Sequence, residues 1–329
     1  MKNVLEWLEA TVEKYPDKPA FSDTECSITF RQVYDIARNT GAYLVEQLGV
    51  DRTPVAVFAG RKMVTPAYFL GVVYAGRPYA PIDASLPDKR IEKILENLCP
   101  GAIVADRESR EHVESIVDEL AKAEGFDRPQ IFIAEDISRF EQVACADSNC
   151  KISESAGDAV TDSENDTDGG VVAGCAGKTD DSSRDMLAVV RRQMSMTDPL
   201  YIIYTSGSTG NPKGVMTSHL SLMTYINAYC DVMHIEESDV LGNQSPLDYI
   251  AAIRDIYLPL KTGCSTAIIP KEYFMEPNAL FDYMNDKKVS SVGWSVSAFT
   301  ILTSLGAFEE VGLKSLRKIC FSGSVMPCR

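Results

Sequence analysis

Apolar residues recur at two spacings along this chain, and the switching between them predicts its architecture. Val4, Leu5, Leu8 and Val12 mark one face of a short helix before Pro16. Ala20-Phe21 and Ser27–Phe30 read as a hairpin pair. Val33, Ile36, Ala37, Ala42, Leu44 and Leu48 return to helical spacing, closed by Gly49. Short apolar runs at 54–58, 79–82, 102–105 and 130–134 then alternate with helical stretches at 63–74 and 88–97. This β-α-β-α order predicts an α/β fold of mostly parallel sheets covered by helices, with ligands at loops leaving the strand ends.

The pattern stops at residues 143–185, a stretch rich in Ser, Gly, Asp, Ala and Thr with ten acidic against three basic residues. Such a segment buries too little apolar surface to offset its ordering entropy, so a disordered acidic insertion is expected. Helical spacing resumes at 186–194 and a strand follows at 200–204. Beyond it the chain reads as helix 219–228, strand and turn 241–248, helix 256–260, strand 265–270, helix 278–285, strand 289–294, helix 297–305 and a last strand at 318–323. The expected division is a first α/β lobe at 1–142, the insertion at 143–185, and a second lobe at 186–329.

Charge narrows the partners. With 32 basic against 47 acidic residues, a net charge of −15 argues against nucleic acid or an anionic membrane. The amino-terminal residues lack the apolar core of a signal peptide, and no run approaches the length of a membrane span, so a cytoplasmic protein is expected. Nine scattered cysteines without a C-x-x-C fit free thiols in a reducing compartment, and three distant histidines offer no metal cluster. His219 suits packing at a helix start.

The stretch richest in chemistry is Tyr201-Ile-Ile-Tyr-Thr-Ser-Gly-Ser-Thr-Gly-Asn-Pro-Lys-Gly-Val215. An apolar strand runs into a turn where Gly207, Gly210 and Gly214 let backbone N–H groups approach a ligand. Thr205, Ser206, Ser208 and Thr209 add hydroxyls, and Lys213 adds a charge. Together they suit a cradle for phosphate, helped by the dipole of a helix expected to begin at His219 nearby. It is not a Walker loop, because Gly214 stands where that motif needs Ser or Thr after the lysine.

T-S-G-S-T-G-x-P-K-G over Thr205–Gly214 resembles the phosphate-loop signature of the adenylate-forming, AMP-binding enzymes. These include acyl-CoA synthetases, luciferases, nonribosomal peptide synthetase adenylation domains and D-alanine–carrier protein ligases. Ile28-Thr-Phe-Arg-Gln-Val and Ala75-Gly-Arg-Pro-Tyr-Ala-Pro-Ile-Asp-Ala-Ser-Leu-Pro-Asp-Lys-Arg-Ile also resemble family elements. The second, with Asp83 and Arg90, looks most like the amino-acid-adenylating branch, although a structural ion pair or helix cap is the stronger reading of those two side chains. The resemblance implies that Thr205, Ser206, Gly207, Ser208, Thr209, Gly210 and Lys213 hold the β- and γ-phosphates of ATP, with Mg2+. It also implies that a carboxylic acid, foremost an amino acid, is converted to an adenylate and passed to the thiol of a phosphopantetheinyl carrier protein. Coenzyme A is the alternative acceptor.

The implied acid pocket comprises Asp248, Tyr249, Ile250, Trp294, Ser295 and Gly323. Here the match departs from the family: Ile250 stands where amino-acid-activating members carry the aspartate that pairs with the substrate ammonium, and Asp248 lies two residues early. Burying an ammonium without a carboxylate costs on the order of several kcal/mol. Either Asp248 reaches the same point by a local shift, or the pocket takes a neutral aryl or acyl acid or has lost activity. Tyr249 falls at an aromatic gate position or is a core aromatic, and Asp255 looks like an ordinary helix residue. The resemblance covers the first two thirds of the family's length and contains no equivalent of the catalytic lysine of its C-terminal lid. An inactive fragment is the expectation, and a non-catalytic nucleotide-binding fragment the remaining alternative.

Overall fold

A computed structural model describes residues 2–123, 125–139, 181–206, 211–310 and 312–325. The first part follows the expected alternation: α1 (Leu5–Lys14), β1 (Pro19–Ser22), β2 (Ser27–Thr29), α2 (Phe30–Leu48), β3 (Val55–Phe58), α3 (Thr65–Tyr74), β4 (Tyr79–Ile82), α4 (Asp88–Leu98), β5 (Ala102–Ala105), α5 (Arg110–Leu120), β6 (Gln130–Ile133) and α6 (Ala134–Ser138). α2 starts where Thr29 and Gln32 close a reciprocal capping box. α5 and α6 are additional to expectation. α5 buries Val113, Ile116, Val117 and Leu120, a helical spacing legible in the sequence.

The second part runs α7 (Asp181–Gln193), β7 (Pro199–Ser206), β8 (Pro212–Ser218), α8 (His219–Met233), β9 (Val240–Asn243), α9 (Ile253–Thr262), β10 (Ser265–Ile268), α10 (Pro277–Asp286), β11 (Ser291–Ser295), α11 (Val296–Ser304), α12 (Ala307–Glu310) and β12 (Lys318–Ser322). The expected insertion falls outside the described residues as far as 180, and its last residues belong to α7. β8 was not anticipated, because Pro-Lys-Gly-Val-Met-Thr-Ser is an exposed edge strand without apolar alternation.

Two six-stranded sheets result, in the orders β6-β5-β3-β4-β7-β8 and β12-β11-β9-β10-β1-β2. The β1–β2 and β7–β8 pairs are antiparallel and every other pairing is parallel. The sheets do not divide along the expected boundary: the β1–β2 hairpin joins the later sheet, and β7–β8 joins the earlier one.

Alternation along the strands explains the layering. Val55, Val57, Ala102 and Val104 point into a core shared with α1, α2, α3, α8 and α9, while Ala56, Phe58, Ile103 and Ala105 pack under α4 and α5. Val292 and Trp294 pack into a third core beneath α10 and α11. Helices thus cover both outer faces and fill the space between the sheets. A hydrogen bond of 3.1 Å between the buried hydroxyls of Tyr79 and Tyr257 ties the first sheet to α9.

Cys99, Cys230, Cys264 and Cys320 are free thiols, as expected. Cys26 is disulfide-bonded, which departs from that expectation. Among the described residues no helix is long and apolar enough to cross a membrane.

Candidate functional site

Parallel strands deliver their carboxyl ends to one side of each sheet, and a cleft of about 1270 Å³ opens there between the two. Gly60-Arg61-Lys62 after β3, Ile82-Asp83 at β4 and Arg107-Glu108 after β5 line one wall; Pro246-Leu247-Asp248 after β9 and Ile269-Pro270-Lys271 after β10 line the other. Arg61 joins the walls, donating from Nη2 to the carbonyl and side-chain oxygens of Asn243 at 3.0 and 2.9 Å. Asp106 accepts from the Gly60 N–H at 2.9 Å and pairs with Lys62, fixing the turn after β3. Sequence reasoning missed Arg61, Lys62 and Asn243, although each lies in a strand-end segment of the kind that binds ligands in α/β folds.

The phosphate-loop hairpin leaves at the same edge. β7 runs parallel to β4 with Tyr201 opposite Tyr79, so both strands point their carboxyl ends the same way. Thr205 and Lys213 are directly paired across the hairpin, so their side chains share a face. Alternation makes it the face of Tyr201 and Ile203, which look into the space between the sheets. Tyr204 points the other way and donates to Asn97 of α4 at 2.9 Å, while Lys93 donates to Asn211 at 3.2 Å. These bonds anchor both sides of the turn on α4. Of the expected cradle, Thr205, Ser206 and Lys213 are exposed at the strand ends, and Gly207, Ser208, Thr209 and Gly210 lie outside the described residues.

Two sequence expectations about the cradle are corrected. Gly214 serves packing: a Cβ there would come within 2.9 Å of Ile202 Cγ2 and 3.1 Å of Tyr204 Cζ. The helix dipole is also misplaced. β8 carries the chain back so that Ser218 pairs with Pro199, and α8 begins at the end of the hairpin opposite the loop. A dipole acts only over the first turn of its helix, so α8 adds nothing to the cradle. His219 at that start does pack as expected: it is buried and its Nδ1 accepts from the Val4 N–H at 3.4 Å. Burial pushes its pKa down to about 4 against the pull of Asp198, which leaves the ring neutral.

The acid-pocket residues come together only in part. Asp248 lines the cleft, and Tyr249 and Ile250 are 55% and 49% exposed beside it, so Tyr249 is not a core aromatic. Ser295 ends β11 and caps α11 by accepting the Ala298 N–H at 3.3 Å; Gly323 follows β12, whose Ser322 pairs with Ser295. Both sit at a carboxyl edge of the second sheet. Trp294 points away from the inter-sheet space, because period-2 alternation sends it under α10 and α11, where its Nε1 donates to the Gly242 carbonyl at 2.8 Å. Asp255 is not an ordinary helix residue. It is buried, accepting from Asn243 Nδ2 at 2.9 Å and from Arg254 Nε at 3.2 Å.

Burial pushes the Asp248 carboxyl above its ordinary value and the neighbouring Asp83 adds to this, with Arg90 pulling the other way. A carboxylate whose folded pKa is raised destabilises the fold above that pKa, and the penalty fades as pH falls through it. Asp248→Asn is therefore expected to raise the melting temperature at about pH 8, with the gain shrinking toward about pH 4. Thermal melts across that range check it, and a variant less stable than wild type at the upper end contradicts it.

A family model described as AMP-binding enzyme matches residues 8–328. The D-alanine--D-alanyl carrier protein ligase of Bacillus cereus (strain AH187) is 25% identical over 325 residues, covering 98% of this chain and 54% of that protein. The ligase of the same name from Bacillus licheniformis is 26% identical over 322 residues, covering 96% and 53%. The chain thus spans about half the length of the curated relatives it matches. Among solved structures, VinN in complex with L-aspartate superposes with a TM-score of 0.71 at 16% identity, covering all of this chain and 72% of that one. The nonribosomal peptide synthetase FmoA3 gives 0.72 at 21% identity, covering 99% and 30%. The N-terminal domain of FACL13 from Mycobacterium tuberculosis gives 0.73 at 18% identity, covering 100% and 71%. These structural likenesses establish the α/β fold. With the family model matching almost end to end, the chain belongs to the AMP-binding enzyme family.

Proposed function

We propose that the chain carries the nucleotide- and acid-binding part of an ATP-dependent acid–thiol ligase. The reaction is carboxylate plus ATP to an acyl-adenylate plus pyrophosphate, followed by transfer to a thiol. The observation that carries this reading is the in-register pair of Thr205 and Lys213, sharing a face that looks between the sheets at the carboxyl end of the strand that runs parallel to β4. A hydroxyl and an ammonium on one face, next to a Gly/Ser/Thr turn, suit the β- and γ-phosphates of ATP. Residues 205–210 and Lys213 hold these phosphates and position the α-phosphorus for in-line attack.

Among the described residues no group of three or more His, Cys, Asp or Glu side chains could hold a metal ion. Mg2+ keeps several waters and uses substrate phosphates as ligands, so in this reading it arrives with ATP and needs few protein donors. The acid lies along Asp248–Ile250, Ser295 and Gly323, with Asp248 as the partner for a substrate ammonium. An amino acid as the acid, and a carrier-protein thiol as acceptor, are supported by the D-alanyl carrier protein ligases among the relatives.

Binding of nucleotide to residues 1–329 tests the reading. A ligand that binds the folded state raises the melting temperature by mass action. Millimolar MgATP is expected to raise it, and absence of any response to ATP and to AMP would overturn the proposal.

A further inference from the structure

The phosphate hairpin is joined to the rest of its sheet near its base. Tyr201 of β7 pairs with Tyr79 of β4, and from Ile202 to Ser206 the register among the described residues is with β8 alone. β8 is the last strand of that sheet, so its far side is open. The part of the hairpin that carries Thr205 and Lys213 is therefore a two-stranded ribbon. Such a ribbon is marginal in water unless another strand or a helix supports it. Here the support is α4.

Strand alternation turns Ile202 and Tyr204 toward α4, and Thr205 and Lys213 away from it. Ile202 enters the core that Ile91, Ile94, Leu95 and Leu98 of α4 build under the sheet, with Tyr204 packed against it. Tyr204 stands directly opposite Gly214, and a Cβ on that glycine would come within 3.1 Å of Tyr204 Cζ and 3.3 Å of its hydroxyl oxygen. The phenol thus lies across β8 where its partner has no side chain, and its hydroxyl donates to Asn97 Oδ1 at 2.9 Å. Burial pushes this phenol up to about 12, so the O–H stays a donor at neutral pH. One helical turn earlier on the same face of α4, Lys93 donates to Asn211 Oδ1 at 3.2 Å, at the start of the returning strand.

Tyr204 and Thr205 are consecutive and point to opposite faces. Two-stranded ribbons twist more than wider sheets, so the angle at which Thr205 and Lys213 face the space between the sheets depends on what holds the ribbon's back. Tying the phenol to α4 fixes that angle before any ligand arrives, and a group held in place beforehand binds without a further ordering cost. Resting on the reading of this hairpin as the grip on the β- and γ-phosphates of ATP, we propose that Tyr204 and Asn97 are positioning residues. They touch no nucleotide; their hydrogen bond holds Thr205 and Lys213 at the angle that receives the two outer phosphates.

Calorimetric affinities of residues 1–329 for MgATP and for AMP test this in wild type, Tyr204→Phe, Asn97→Ala and the double variant. Tyr204→Phe keeps the ring over Gly214 and removes only the hydroxyl. Each single variant is expected to weaken MgATP binding about fivefold, the worth of one neutral hydrogen bond, while AMP binding and the unliganded melting temperature stay nearly unchanged. Both substitutions break the same bond, so the double variant should bind MgATP no more weakly than either single one. Undiminished MgATP affinity in the single variants, equal loss for MgATP and AMP, or losses that multiply in the double variant would overturn the proposal. A wild type that binds neither nucleotide overturns the adenylation reading and this proposal with it; a wild type that binds MgATP no more tightly than its variants overturns the positioning proposal alone.

Discussion

Asp239→Asn is expected to cost roughly 3 kcal/mol of stability at neutral pH, because this fully buried carboxylate ties together three segments of the second sheet. It accepts from the Glu236 N–H at 2.8 Å, Ser290 Oγ at 2.7 Å, Arg317 Nη2 at 2.8 Å and Lys318 Nζ at 2.6 Å. These contacts join the start of β9 to the residue before β11 and to the start of β12. Burial works against the charge, yet the Glu236 N–H, Lys318, Ser290 and Arg317 together hold the carboxyl down to about 2. A depressed carboxyl stabilises the fold above its unfolded pKa and ceases to do so as pH falls through the folded value. The difference between wild type and variant should therefore be full above about pH 4 and disappear toward about pH 2. Denaturant melts at several pH values check this, and a difference independent of pH over that interval would contradict it.

Gly41→Val should be comparably damaging for a steric reason. A Cβ at Gly41 would meet Tyr74 Cβ at 2.5 Å and the Gly71 carbonyl at 3.0 Å, and one at Gly71 would meet Thr40 Cβ at 2.5 Å. α2 and α3 thus cross at near backbone contact. Replacing glycine within a helix returns about 1 kcal/mol of propensity at most. Overpacking costs about 1–3 kcal/mol, and contacts with Cβ and backbone cannot be relieved by a rotamer change, so the clash wins by about 2 kcal/mol or more. α3 follows directly on Gly60–Met63 of the cleft wall, so the displaced helix should also weaken ligand binding there. Gly312→Ala, with nothing within 4 Å of the added Cβ, is the control and should be nearly neutral. Matching melting temperatures for the two variants would refute the packing argument.

Where one physical signal dominated, the sequence was readable. Strands such as Val55–Phe58 and Ala102–Ala105 are buried on both faces, and continuous apolar runs announced them. Thr205, Ser206 and Lys213 were legible through their residue types and order, which no packing requirement explains at these exposed positions. Partnership between distant segments was not legible. The addition of β1 to β10 depends on contacts between residues about 245 positions apart. The side of β11 to which Trp294 points depends on register, since a shift of one residue reverses it. Asn243, Arg254 and Asp255 form a buried polar chain that no local pattern marks, because each residue type is ordinary on a solvated surface. β8 was hidden by exposure: a strand at a sheet edge with Pro212, Lys213 and Gly214 has no apolar alternation to announce it.

The central claim is that the Thr205–Lys213 hairpin grips the β- and γ-phosphates of ATP. Comparing the affinities of residues 1–329 for ATP and AMP, in wild type and in Lys213→Ala, tests it most directly. Lys213 is an exposed strand residue, so its loss should leave the melting temperature nearly unchanged. Removing a charge-assisted contact of about 1.5–3 kcal/mol should weaken ATP binding on the order of tenfold or more, while AMP, which lacks the β- and γ-phosphates, binds as before. Equal loss for both nucleotides, or no loss for either, would contradict the assignment.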